Sequence, residues 1–199
     1  MIDQTNTFLR KIPAAVIYVL ALCPVPYLLW LAQTGGLGRE PIRGLEHALG
    51  ELALQFLVAG LCITPLRRHV GLNLLKFRRA IGVVAFTYVT LHLLVWLVLD
   101  VGVVGQVWAD ILKRPYITIG MVSFVALLPL ALTSNNWSVR RLGARWRKLH
   151  RLTHVAVLLG GVHYVMLTKT WAVEPFVYLI AILGLLALRL PKRRLAQVG

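Results

Sequence analysis

Six apolar runs, each near the length of a bilayer-spanning helix, leave this chain few ways to fold: 12–32, 45–64, 80–99, 115–133, 150–168 and 173–190. A spanning helix needs about 20 mostly apolar residues, and in lipid its backbone polar groups must be satisfied within the segment. Only 15% of the residues are charged and the mean hydropathy is +0.74, against about a quarter charged in soluble domains. The spacing predicts an all-α integral membrane protein, one six-helix transmembrane domain over 1–199. The first run is too long for the apolar core of a signal peptide and reads as a retained span. Pro24, Pro26 and Pro129 lie inside runs, where neighbouring helices can satisfy the freed carbonyls, so they predict kinks rather than breaks.

A net charge of +15 would suggest nucleic acid in a soluble protein. Here the basic residues sit in clusters between the apolar runs, and orientation in the membrane explains them better. The N-terminus, the loop after the second run (Arg67, Arg68, Lys76, Arg78, Arg79), the loop after the fourth and the C-terminus hold 17 of the 22 lysines and arginines. The opposite side carries Arg39, Arg43, Lys113, Arg114 and Lys169 with most of the acids. The positive-inside rule then places both termini in the cytoplasm. Trp108 and Trp171 fit an outer aromatic belt, Trp137 and Trp146 an inner one. Cys23 and Cys62 both fall in apolar runs without a C-x-x-C pattern and read as small core residues.

Histidines carry the chemistry. A polar imidazole inside a spanning helix is costly and marks a functional site by default. His92 lies 12 residues into the third run, about 18 Å at the α-helical rise, and His163 lies 13 residues into the fifth, about 19.5 Å. Both runs rise from basic clusters, so the two imidazoles reach matching depth in the outer half. Two neutral imidazoles facing each other suit the axial positions of a six-coordinate haem iron. Gly82, Gly160 and Gly161 would let a flat macrocycle approach the backbone. The competing reading is that each histidine only hydrogen-bonds across the bundle.

His150 sits at the inner boundary beside the basic collar, where water or lipid phosphate satisfies it, or where it ligates a second haem or meets a flavin or quinone. His163 and His150 are about 140° apart on an ideal helix, which argues against a single face. His154, one turn on, is a substitute for His150. His69 reads as solvated. His47 with Glu46 and Glu51 opens the second helix at the outer surface, suited to a quinol head group or proton uptake, though acids at a helix N-terminus need no further reason.

With these residues placed, the chain resembles the ferric-reductase-type transmembrane family, six-helix bundles that pass electrons through b-type haem. The segments LLKFRRAIGVVAFTYVTLHLLVW, WRKLHRLTH and GGVHYVMLTK are most similar to the haem-binding membrane subunits of bacterial systems that repair methionine sulfoxide in periplasmic proteins. The resemblance spans essentially the whole chain. It implies an electron-transfer subunit of the inner membrane with no substrate site of its own. Haem b, one or two, and FMN would be its cofactors, and a periplasmic molybdopterin-containing methionine-sulfoxide reductase its electron acceptor. The donor would be the quinone pool or a cytosolic flavin reductase. The family's haem ligands fall on His92, His163 and His150.

One departure stands out. Two-haem members carry a second histidine about one haem spacing before the first on the third helix, and here that position, 14 residues before His92, is Arg78, followed by Arg79. An inner haem on His150 would then be five-coordinate, take another ligand or give way to flavin, with the two arginines suited to a propionate or flavin phosphate. Two other functions stay open: a quinol-dependent or ferric-type reductase acting on a small acceptor, and a transporter with a histidine-lined proton or metal path. Against the transporter stand the lack of an aligned acid in helices three to six and of paired broken helices.

Overall fold

A computed structural model describes residues 2–168 and 172–189. Among them there are α-helices and no strand. The helices, in chain order, are α1 (Ile2–Lys11), α2 (Ala15–Leu22), α3 (Pro24–Gln33), α4 (Pro41–Pro65), α5 (Arg78–Leu94), α6 (Val104–Lys113), α7 (Pro115–Leu132), α8 (Asn136–Leu142), α9 (Ala144–Leu149), α10 (Leu152–Leu167) and α11 (Val173–Ala187). Pro24, Pro41 and Pro115 each open a helix. There the missing N–H costs nothing and the fixed φ is already helical.

Four stretches are long and apolar enough to cross a membrane: Ala15–Gln33, Pro41–Val70, Leu75–Val101 and Pro115–Leu132. They correspond to the first four runs of the sequence. The last two runs become α10 and α11, of 16 and 15 residues. The predicted kink at Pro24 separates α2 from α3 at Cys23, whose backbone stays right-handed helical, while Pro129 leaves α7 unbroken. Two π-helical turns, at Leu66–Val70 and Val95–Val101, extend α4 and α5; the sequence pattern did not indicate them. Gly71, at φ +81°, ends the first of these, a left-handed conformation that favours glycine.

The bundle is built from two helix pairs, α4 along α5 and α7 along α10, with α11 laid against α10 and α4. Between the pairs lies an aliphatic core of Leu54, Leu57, Leu61, Leu127, Val157 and Ile182. A second cluster, around Leu28, Leu49, Val84 and the fully buried Tyr88, fastens the kinked α2–α3 to α4 and α5. The Tyr88 hydroxyl donates to the Ala21 carbonyl at 2.6 Å, near the proline pair. One end of the bundle is strongly basic, carrying Arg67, Arg68, Arg78, Arg79 and the α8–α9 segment. At the other end, the mouth end, α4 and α7 begin and the amphipathic α6 exposes Val104, Trp108 and Leu112. Of the belt tryptophans, Trp108 and Trp137 are exposed; Trp171, like Lys169 and Lys192, lies outside the described residues.

Candidate functional site

His92 on α5 and His163 on α10 meet between the two helix pairs. Their ring centroids are 6.2 Å apart and their planes are inclined at 74°. Each ring is held in the same way. Nδ1 of His92 is 2.8 Å from the Glu46 carbonyl oxygen on α4, and Nδ1 of His163 is 2.7 Å from the Tyr116 carbonyl oxygen on α7. A carbonyl can only accept, so Nδ1 carries the proton in both rings and Nε2 keeps its lone pair. A backbone carbonyl on the far ring nitrogen is the usual support of a metal-binding histidine.

The close packing depends on two glycines the sequence reading did not single out. A Cβ at Gly50 would stand 3.0 Å from Nδ1 of His92, and one at Gly120 would stand 2.9 Å from Nδ1 of His163. Each glycine lies four residues after the carbonyl that receives its histidine: Glu46 and Gly50 on α4, Tyr116 and Gly120 on α7. The glycines expected to flank a macrocycle behave otherwise. Gly82 faces open space, Gly161 packs against Ile182 and Leu179 of α11, and only Gly160 borders the cavity.

Both imidazoles line a cavity of about 740 Å³, a size typical of cofactor sites. Its walls are largely apolar, including Leu54, Leu57, Val89, Ile117, Met121 and Phe124. The π turn after α5 sends Trp96 and Asp100 into the same lining. Towards the mouth end the lining becomes charged, with Glu40, Arg43, Glu46, Asp100 and Arg114, and His47 stands among them; Glu51 lines it beside Gly50.

The donor set fits a haem. A first-row metal–imidazole bond is about 2 Å and a ring centroid lies about 1 Å behind its nitrogen, so two imidazoles sharing one metal have centroids about 6 Å apart. That is the separation seen. Among the described residues no group of three or more His, Cys, Asp or Glu could hold a bare ion; two histidines become a complete ligand set when a macrocycle supplies the four equatorial nitrogens.

The remaining candidates are at the basic end. His150, just before α10, stacks on Trp146 with ring centroids 3.8 Å apart, and its Nε2 is 3.0 Å from the Thr133 hydroxyl oxygen at the end of α7. That hydroxyl donates to the Pro129 carbonyl, and the Trp146 Nε1–H donates to the Thr133 carbonyl. Trp146 is thus part of a polar corner as well as a belt residue. His154 accepts from Arg189, which also donates to the Leu61 carbonyl. Arg78 is a charged neighbour of His150, His154 and Arg189. Arg79 is instead turned to Asn136, donating to its Oδ1 at 2.7 Å. His69 is exposed. None of His150, His154, Arg78 or Arg79 borders the cavity that holds His92 and His163.

Residues 46–161 match the model of the ferric reductase like transmembrane component family. The chain is 49% identical over 184 residues to the protein-methionine-sulfoxide reductase heme-binding subunit MsrQ of Agrobacterium fabrum, an alignment covering 91% of this chain and 86% of that protein. It is 44% identical to the protein of the same description from Brucella anthropi, over 88% of this chain and 80% of the relative. With that of Brucella ovis it shares 43% identity over 96% of this chain and 90% of the relative. No solved structure matches.

Proposed function

The chain belongs to the ferric-reductase-like transmembrane family and, within it, to the MsrQ haem-binding subunits, and from that premise we propose that it is a membrane b-type cytochrome whose iron is held by His92 and His163. The observation that carries this reading is the matched pair of imidazoles, each with Nδ1 tied to a carbonyl and the rings at the spacing one metal requires. Bound there, haem would supply one-electron chemistry. The protein's part is to hold both ligands in one tautomer and orientation and to keep water from the apolar walls.

In this reading the mouth end faces the periplasm and both termini the cytoplasm of the inner membrane, an orientation the basic clusters support. Electrons from the quinone pool or a cytosolic flavin reductase leave at the mouth end. Their acceptor is a periplasmic, molybdopterin-containing methionine-sulfoxide reductase. FMN and a second haem would belong to the basic end, where His150, His154 and Arg78 gather.

Spectroscopy of the purified protein tests the centre. Dithionite should produce a low-spin b-type spectrum, and His92→Ala or His163→Ala should abolish it while leaving the chain folded by circular dichroism. A full low-spin spectrum retained by His163→Ala would reject the pairing.

A further inference from the structure

The geometry points to Arg43 and Arg114 as the anchors for the two carboxylates of a haem seated between His92 and His163, with its anionic edge at the mouth end. The inference rests on the haem reading above and adds residues that neither the sequence pattern nor the relatives' names assign.

Haem is apolar except for two propionates, and a carboxylate buried without a partner is strongly disfavoured. Among the described residues only two cations line the cavity, Arg43 and Arg114. Arg43 lies on α4 and Arg114 caps the start of α7, the two helices whose backbone carbonyls fix the histidines. Arg43 is three residues before Glu46 on α4, and Arg114 is two residues before Tyr116 at the start of α7. Each arginine is therefore within one helical turn of the carbonyl that fixes its histidine.

Both guanidinium groups are placed at the rim by acids and keep donors to give. Arg43 Nη1 is 2.8 Å from Glu40 and its Nε is 4.0 Å from Asp100, with the side chain 62% exposed. Arg114 Nε is 3.2 Å from Asp110, its Nη1 is 3.3 Å from the Tyr116 hydroxyl, and its side chain is 51% exposed. An arginine carries five N–H donors, so neither set is exhausted. Glu46 and Glu51 on the same lining would repel an anion placed away from the arginines. Arg78 and Arg79, the earlier candidates for a propionate, lie at the opposite end of the bundle, beside His150 and Asn136.

Binding of haem and of haem dimethyl ester to the haem-depleted full chain in detergent tests this. The wild type should prefer the free acid, by up to about fivefold for each exposed charge pair. The Arg43→Gln, Arg114→Gln double variant should lose that preference. Its bound haem should also show a lower midpoint potential, because removing positive charge disfavours the reduced iron. Arg43→Lys and Arg114→Lys should restore most of the potential. Glu40→Gln and Asp110→Asn, which remove the shortest ion pair of each arginine but keep the arginines, should retain the preference, separating anchoring from structural support. Equal binding of acid and ester by the wild type, or a double variant with preference and potential unchanged, overturns the anchoring. Failure of both compounds to give a two-histidine low-spin spectrum in the wild type would instead reject the haem reading, and this inference with it.

Discussion

Gly120 and Gly50 are the residues on which the site's precision turns. Nδ1 of each imidazole is pinned to a carbonyl, so a ring pushed by a new methyl group cannot swing away and keep its hydrogen bond. Gly120→Ala brings a Cβ to 2.9 Å of His163, closer than such atoms approach, while Gly50→Ala stops at 3.0 Å from His92. Overpacking of this kind costs about 1–3 kcal/mol. We expect both variants to convert part of the low-spin haem to a high-spin form, Gly120→Ala more than Gly50→Ala, and Gly82→Ala, which meets nothing within 4 Å, to behave as wild type. Electron paramagnetic resonance of the three variants checks the order; a Gly82→Ala defect equal to Gly120→Ala would remove the packing argument. The histidines were legible in the sequence because an imidazole in an apolar run has a cost that depth alone exposes. Their supports were not. The acceptors are backbone carbonyls, which every residue possesses, and Gly50 and Gly120 are two of 16 glycines, with no local pattern to separate them from Gly82 or Gly161.

At the scale of elements, α10 borders two environments, and the polar contacts described at one end do not reach the other. Its far end brings His163 to the cavity. Its near end, with His150 and His154, is tied to Thr133, Trp146 and Arg189, and aliphatic residues including Leu61, Leu130 and Val157 pack between. The nine residues from His154 to His163, both within α10, rise about 13.5 Å. His150→Ala is therefore expected to leave the low-spin His92–His163 spectrum intact. Thr133→Val, which removes one hydrogen-bond partner of the corner, should lower thermal stability by about 1 kcal/mol without touching that spectrum. Haem content per protein decides the alternative: if His150→Ala halves it, the near end holds a haem of its own. The sequence separated these histidines by depth; its offset of about 140° assumed one continuous helix, whereas His150 lies two residues before α10. It did not foretell the π turn at Val95–Val101, because helix-period patterning cannot register a one-residue change in hydrogen bonding, yet that turn brings Trp96 and Asp100 to the cavity.

For the whole molecule, the proposed haem site is displaced towards one face, and this limits where electrons can enter. Tyr116, whose carbonyl holds His163, is the second residue of α7, so the imidazole pair lies about one turn below the mouth end. Beneath it the bundle is closed by an aliphatic core, with the stacked Phe86 and Phe124. Electron transfer weakens exponentially with distance, and a donor confined to the basic face would have to reach across most of the membrane. A quinol dissolved in the bilayer is not confined to that face. For a preparation with one haem per chain, reconstituted in vesicles of known orientation, we expect a quinol analogue in the membrane to reduce the centre much faster than a flavin reductase held at the basic face. If two haems are bound, the basic-face donor should become fast and His150→Ala should slow it again. Stopped-flow absorbance together with a haem-to-protein ratio separates the cases. Rapid reduction of a one-haem protein from the basic face, unaffected by His150→Ala, would mean that electrons cross the aliphatic core by a route this packing does not provide.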